Sequence, residues 1–364
     1  MDGQDPALAR LIDQVDHARN HRVPLDIRGG GTKAFYGGPP KGEPLDVTGL
    51  SGISSYEPTE LVVTARAGTL LSDLEAALEE HGQCLPFEPP RFSPGGTVGG
   101  MVAAGLSGPA RANVGSVRDH VLGVTLLNGR GEVLAFGGQV AKNVAGYDVS
   151  RLIVGSLGIL GVICEVSLKV LPITRATSTL FFDWDETRAL EQLNIWASQP
   201  LSMNASAWHD GRLHVRLAGA GAAVSAACGK LGGAMVAADA AKTWWSGVRD
   251  QTEDFFSLSD ASVARRECLW RLSVPNCTAP VKLPGRQFVE WNGAQRWWRT
   301  TAETREVRAA AAQAGGHATL IRGADKSSGA FMPVSDVLMR IHHGLKQAFD
   351  PACVFNPGRL YAEL

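Results

Sequence analysis

The chain has 364 residues, long enough for about two domains and a sizeable core. Hydrophobic residues at 45% and charged residues at 20% exclude a disordered chain. Lysine and arginine number 35 against 36 aspartate and glutamate, a net charge of −1, which excludes a broad cationic field for nucleic acid or acidic lipid.

The six cysteines, Cys84, Cys164, Cys228, Cys268, Cys277 and Cys353, form no CxxC pair. That spacing argues against a zinc or iron–sulfur site and for reduced thiols, so no metal is expected. The opening "MDGQDPALARLIDQVDHARNHR" is charged throughout and has no apolar signal core. The longest apolar run, Leu152 to Cys164, falls short of the roughly 20 residues that cross a bilayer, and no integral membrane segment is expected.

In chain order, Leu8, Leu11, Ile12 and Val15 predict a helix over Pro6 to Asn20. A short strand, Val23 to Ile27, then runs into "RGGGTK", and "SYEPTELVVTARAG" reads as two strands around Pro58. Ser72 and Glu75 suggest a capping box opening a helix over Leu74 to Glu80 that stops at Gly82. "DHVLGVTLLNGRGEVLAF" predicts a hairpin turning at Asn128–Gly129. Leu171–Pro172 closes a β-type run and makes a first domain boundary. Beyond it, helices are expected at Glu186 to Ala197, Ala241 to Phe256 and Val334 to Phe349, and a strand at "RLHVRLAG". Helices and strands mix without regular βαβ alternation, so the fold class is α+β. Most of the 42 glycines lie before Pro172 and all nine tryptophans after it, as expected of two domains with different tasks.

Glycine clusters in three places. The first has Gly29, Gly30 and Gly31 followed by Thr32 and Lys33. The second has Pro94, Gly95, Gly96, Thr97, Gly99 and Gly100. The third, "NVAGYDVSRLIVGSLGILGVICEV", has Gly146, Gly155, Ser156, Gly158 and Gly161. Any one cluster is as readily a plain turn. Together they suit a long ligand such as a dinucleotide, whose pyrophosphate would meet convergent N–H groups where no Cβ intervenes. No G-x-G-x-x-G sits in a βαβ unit, and "ACGKLGG" has leucine where a P-loop needs serine or threonine.

The ordered run "RGGGTK", "PGGTVGG", "SGPARANVGSVRDHVLGV", "KNVAGYDVSRLIVGSLGILGVI" and "FDPACVFNPGR" resembles the vanillyl-alcohol oxidase (PCMH-type) FAD-binding superfamily. Within it the chain is similar to the family of small FAD-binding E subunits of bacterial glycolate oxidase. The resemblance implies a two-subdomain FAD-binding domain over residues 1–172, an α+β cap over 173–345, and a segment, 346–364, returning to the flavin. It implies that Arg28, Gly29, Gly30, Gly31, Thr32, Lys33, Pro94, Gly95, Gly96, Thr97, Gly99 and Gly100 bind the pyrophosphate and flavin edge. Ser107, Gly108 and Arg111 would follow as a contact segment. Lys142, Asn143, Gly146, Tyr147 and Asp148 would precede the turn of Gly155, Ser156, Gly158 and Gly161, with Val162 and Ile163 at adenine and Asn356 and Gly358 at the flavin. The bare glycine backbones would lie flush with the cofactor. The first loop has no histidine, which implies non-covalent FAD.

The family further implies oxidation of glycolate, a small 2-hydroxy acid, to glyoxylate by hydride transfer to FAD. A larger FAD-binding subunit and an iron–sulfur subunit would be partners, in a cytoplasmic complex peripheral at the inner membrane. A "GDGNLH"-type segment found in the larger subunit's relatives is absent here. Three readings therefore stand: glycolate oxidation at this chain's own flavin, a non-catalytic FAD-holding or electron-relay subunit, and a stand-alone flavin enzyme for another alcohol. For a base and a carboxylate cation, His209, Arg212, His214, Arg216, His317 and Arg322 are the candidates. Arg212, His214 and Arg216 share one strand face by alternation, which reads more simply as a solvated charged face. Tyr147 reads as a flavin-packing residue. His342–His343 point apart on a helix and do not suit a shared metal, and the paired tryptophans 244–245 and 297–298 read as core or a subunit contact.

Overall fold

The computed structural model describes residues 5–138, 147–323 and 325–364, so Lys142, Asn143 and Gly146 lie outside the described residues. Helix α1 (Pro6–His21) starts where Asp5 accepts the N–H groups of Ala7 and Leu8. It buries Leu8, Leu11, Val15 and Ala18, one face of a 3.6-residue repeat. Strands β1 (Leu25–Arg28) and β2 (Glu43–Asp46) pair in parallel below it. The strands around Pro58 are β3 (Ile53–Glu57) and β4 (Val62–Arg66), antiparallel as their turn requires.

Helix α2 spans Leu71–Glu80, one turn earlier than the expected capping box. Ser72 lies inside its first turn. The helix begins where Leu71, fully buried, donates its N–H to Gly96 O at 2.8 Å, so the second glycine loop caps it in place of a side chain. After β5 (Gln83–Cys84) come the short helices α3 (Val98–Ala104), α4 (Arg111–Val114) and α5 (Val117–His120). The hairpin forms as β6 (Val121–Leu127) and β7 (Val133–Gly137), with α6 (Val149–Ile153), β8 (Val162–Lys169) and β9 (Leu171–Pro172) beyond it. β5 and β9 pair with each other, and the remaining strands from β3 on make one antiparallel sheet in the order β3-β4-β8-β6-β7. Its inner face packs Val63, Leu126, Val166 and Leu168 against Leu74, Leu78 and Met101.

Beyond Pro172 the chain builds a second, eight-stranded sheet. Its elements are β10 (Ala176–Asp183), α7 (Glu186–Ala197), β11 (Met203–His209), β12 (Arg212–Gly219), α8 (Gly221–Leu231), β13 (Ala234–Val236) and α9 (Ala238–Asp250). They continue with α10 (Asp260–Ala264), β14 (Cys268–Ser273), β15 (Arg286–Glu290), β16 (Gln295–Thr300), α11 (Thr304–Gln313), β17 (His317–Arg322) and α12 (Asp336–Phe349). The strand order is β13-β10-β12-β11-β15-β16-β14-β17. The helix expected to reach Phe256 stops at Asp250, because Gln251 turns left-handed (φ 56°); a separate 3₁₀ turn, Asp254–Phe256, then buries Phe255 and Phe256.

One face of this sheet carries α7, α8 and α11. The other, with Ala205, Phe288, Leu269, Trp297 and Ile321, packs on Tyr36, Ala104, Leu106 and Leu157 of the first half. Trp245, Trp297 and Trp298 are core residues. The C-terminal segment returns to the start of the chain: Leu25 N–H donates to Val354 O at 2.7 Å, and Asn356 N–H to Leu25 O at 2.9 Å.

Candidate functional site

β1 ends at Arg28 and releases the first glycine loop, while Thr97 caps α3 by accepting the Gly100 N–H at 3.2 Å. The turn between α6 and β8 brings up Leu157, Gly158 and Gly161. Asn356 fastens these pieces together: its Oδ1 accepts the Ile27 N–H at 2.7 Å and its Nδ2 donates to Leu157 O at 2.6 Å. Between them lies a cavity of about 400 Å³, within the range of ordinary ligand sites. Arg28, Gly29, Gly30, Gly31, Thr32 and Lys33, then Thr97, Gly99 and Gly100, then Gly158, Gly161, Ile163 and Asn356 all line it. Clusters far apart in sequence therefore converge on one space.

The polar groups around that space suit an anion. Among the described residues, no protein acceptor takes the N–H groups of Gly29 to Lys33, nor that of Thr97. Backbone donors in a folded protein are almost always paired, so this run of open ones fits a group rich in acceptor oxygens such as a pyrophosphate. Among the described residues, Lys33 Nζ has only Thr32 Oγ1 at 3.3 Å and the Phe92 ring at 5.7 Å. Burial pushes its pKa down to about 8 against the pull of Asp250, and an anionic ligand would relieve that. Arg28 is held by the buried carboxylate of Asp26.

The glycines serve the chain as well as any ligand, which corrects the expectation of bare backbone lying simply against a cofactor. A Cβ on Gly30 would sit 1.5 Å from Gly95 O, and one on Gly29 would sit 2.3 Å from Thr97 Oγ1. The first two loops touch through their missing side chains. A Cβ on Gly158, where φ is +75°, would meet the Asn356 amide at 2.6 Å. Gly31, at φ +69°, faces nothing within 4 Å.

Pro94, Gly95, Gly96, Gly155, Ser156 and Val162 lie outside the cavity lining, and so does Tyr147, whose side chain is 94% exposed. Ser107, Gly108 and Arg111 lie outside it too, Gly108 and Arg111 against Trp291 of the second half and Ser107 against α5. Gly108 O accepts from Trp291 Nε1 at 3.0 Å, the Arg111 guanidinium stacks 4.4 Å from the Trp291 ring, and Ser107 Oγ accepts the Val117 N–H. Sequence reasoning missed Ala103, Ala104, Leu157 and Arg359, which also line the cavity. The helical phase from Gly100 to Ala103 and Ala104 carried that signal for two of them.

Of the candidate cations and bases, Arg212 reaches Asp183 at the surface. His214 stacks 4.1 Å from Trp244, and burial followed by the Arg212 charge pushes its pKa down to about 4. Arg216 is buried, bonded to Asn204 and paired with Glu88 at 2.8 Å. The shared strand face is thus solvated at Arg212 but covered at His214 and Arg216, where Trp244 and Trp245 of α9 lie over it. His209 bonds Gln287 O, and His317 is exposed. Arg322 stacks over Phe35 and bonds Phe256 O. The loop after the first glycines is gripped from outside: Arg359 donates to Ala34 O, Tyr36 O and Gly38 O, and Lys326 to Phe35 O and Gly37 O.

Comparison with known proteins adds an independent line. A family model described as an FAD binding domain matches residues 8–137. The glycolate oxidase subunit GlcE of Escherichia coli (strain K12) is 47% identical over 354 residues, covering 97% of each chain. The glycolate oxidase subunit GlcD of Bacillus subtilis (strain 168) is 32% identical over 174 residues, 47% of this chain and 37% of that one. Among solved structures, an alkyldihydroxyacetonephosphate synthase shares the fold with a TM-score of 0.66 at 16% identity, covering 96% of this chain and 74% of that one.

Proposed function

Because the chain belongs to the GlcE family of glycolate oxidase subunits, FAD-linked 2-hydroxy acid oxidoreductases, we propose that it is the small flavin subunit of a glycolate-oxidising complex. One observation carries the reading: three glycine clusters and a run of open N–H groups meet at one cavity, in a chain that aligns end to end with such a subunit. Residues Arg28 to Lys33, Thr97, Gly99, Gly100, Gly158, Gly161, Ile163 and Asn356 would hold FAD. When bound, FAD supplies an acceptor for the hydride, and with it both electrons, released by alcohol oxidation. Non-covalent attachment fits a cavity that no histidine or cysteine lines among the described residues. Residues 1–172 would form the FAD domain, 173–345 the cap and 346–364 the returning segment. A larger FAD-binding subunit and an iron–sulfur subunit complete the proposed complex.

The chain's own work is to hold the cofactor, to cover it with the eight-stranded sheet and to present a substrate anion to it. The purified full chain should be yellow and release FAD on denaturation. Anaerobic glycolate should bleach the flavin absorbance. Bleaching only after the larger subunit is added would instead assign a holding role. Protein that takes up no FAD would overturn the reading.

A further inference from the structure

Seven arginines lie on the eight-stranded sheet, and most have a carboxylate. Arg212 has Asp183, Arg216 has Glu88, Arg286 has Asp210, Arg296 has Glu186 and Arg299 has Glu267. Arg322 is accounted for by Phe256 O and the rings of Phe35 and Phe92. Arg271, like Arg322, lacks one. Half-buried on β14, it makes one hydrogen bond, from Nη2 to Tyr36 Oη at 3.2 Å, its guanidinium lies 5.8 Å from the Tyr36 ring, and its Nε is buried without a hydrogen-bond partner. Among the described residues no carboxylate pairs with it. A guanidinium sheltered in this way is costly to leave unpaired.

The neighbours sharpen the point. Tyr36 is buried, and with its oxygen accepting from Arg271 its O–H proton remains available to donate. Arg111, stacked on Trp291, forms no ion pair among the described residues; burial and then the Arg271 charge depress its pKa, against a weaker opposing pull from Asp119. Tyr36 shares an apolar cluster with Ala104 and Leu157, and those two residues line the cavity of the glycine loops. Arg271, Tyr36 and Arg111 do not line that cavity themselves; Tyr36 joins them to it through the cluster in which the eight-stranded sheet packs on Ala104 and Leu157.

We propose that Arg271 and Tyr36, flanked by Arg111, form the subsite that holds the carboxylate of a small 2-hydroxy or 2-oxo acid. The inference rests on the FAD reading above and adds the substrate's anchor to it. Arg271 would take one carboxylate oxygen through the guanidinium N–H groups that Tyr36 leaves free, and the Tyr36 hydroxyl would donate to the other. The bond is a charge-assisted one on a planar fork that lysine cannot copy.

The test is calorimetric titration of the FAD-loaded full chain with glyoxylate at constant ionic strength, alongside its FAD-to-protein ratio. Arg271→Met should keep the FAD ratio and weaken glyoxylate binding roughly ten- to a hundredfold. Arg271→Lys should restore part of the loss, and Tyr36→Phe should weaken binding by a smaller factor. An unchanged affinity in Arg271→Met would overturn the proposal. So would loss of FAD from both Arg271 variants, which would mark a structural residue. A yellow wild-type chain that binds no glyoxylate overturns this proposal alone; a chain that takes up no FAD overturns the reading beneath it.

Discussion

Lys33 and Glu290 show how burial turns single charges into measurable behaviour. Lys33 sits by the open N–H groups with its pKa lowered to about 8 by burial. A bound diphosphate would pull that value back up, so binding takes up a proton above pH 8. FAD affinity should thus be flat below pH 7 and fall as pH rises from 8 to 10, as read by flavin fluorescence titration. Lys33→Met should bind more weakly at pH 7 and lose that slope. Glu290 is fully buried on β15, accepting from Trp297 Nε1 and Gln295 Nε2, and burial raises its pKa from 4.5 to about 7. Between those two values the folded chain keeps a proton that the unfolded chain has lost. Stability should therefore fall as pH rises through that window and level off above it. Glu290→Gln, which keeps an acceptor for both donors, should flatten the slope and gain on the order of 2–3 kcal/mol at pH 8 in denaturant unfolding.

At the scale of elements, the C-terminal return is organised by one buried ion pair. Lys346 of α12 lies 2.9 Å from Asp350, with both side chains almost wholly covered. Lys346 also donates to Ile159 O and Phe355 O, and Asp350 accepts the Phe355 N–H. This places Asn356 against β1 and the third glycine cluster. Lys346→Met leaves the Asp350 carboxylate buried without its cation and should cost about 3–5 kcal/mol. Hydrogen exchange should then rise at Leu25, Ile27 and Asn356 before it rises in the eight-stranded sheet.

Periodicity made several elements readable: α1, the hairpin about Asn128 and β12 stand where their spacing put them. The start of α2 was not readable, because its cap is the Gly96 carbonyl, which is distant in sequence and has no side chain to recognise. In the candidate site the glycine loops were legible from composition. Arg271 was not, since an unpaired arginine is defined by what fails to surround it.

For the whole molecule, the first glycine loop depends on groups from every later part of the chain. Arg322 and Lys326 reach it from the far half, and Arg359 from the C-terminal segment. A fragment of residues 1–172 should therefore take up no FAD after gel filtration, while the full chain elutes yellow. Retention of FAD by the fragment would show that those grips are dispensable.

The sequence by itself determined the α+β class, the wide spacing of the cysteines and the glycine-rich places where a dinucleotide could approach. Those follow from residue type and short-range spacing, which the chain carries wherever it is folded. Only the tertiary structure decided that the loops pack on one another, that Arg216 is covered and paired with a carboxylate, and that Arg271 meets Tyr36 and, among the described residues, no carboxylate. Pairing and burial are properties of neighbours brought together across hundreds of residues, and no local pattern records who those neighbours are.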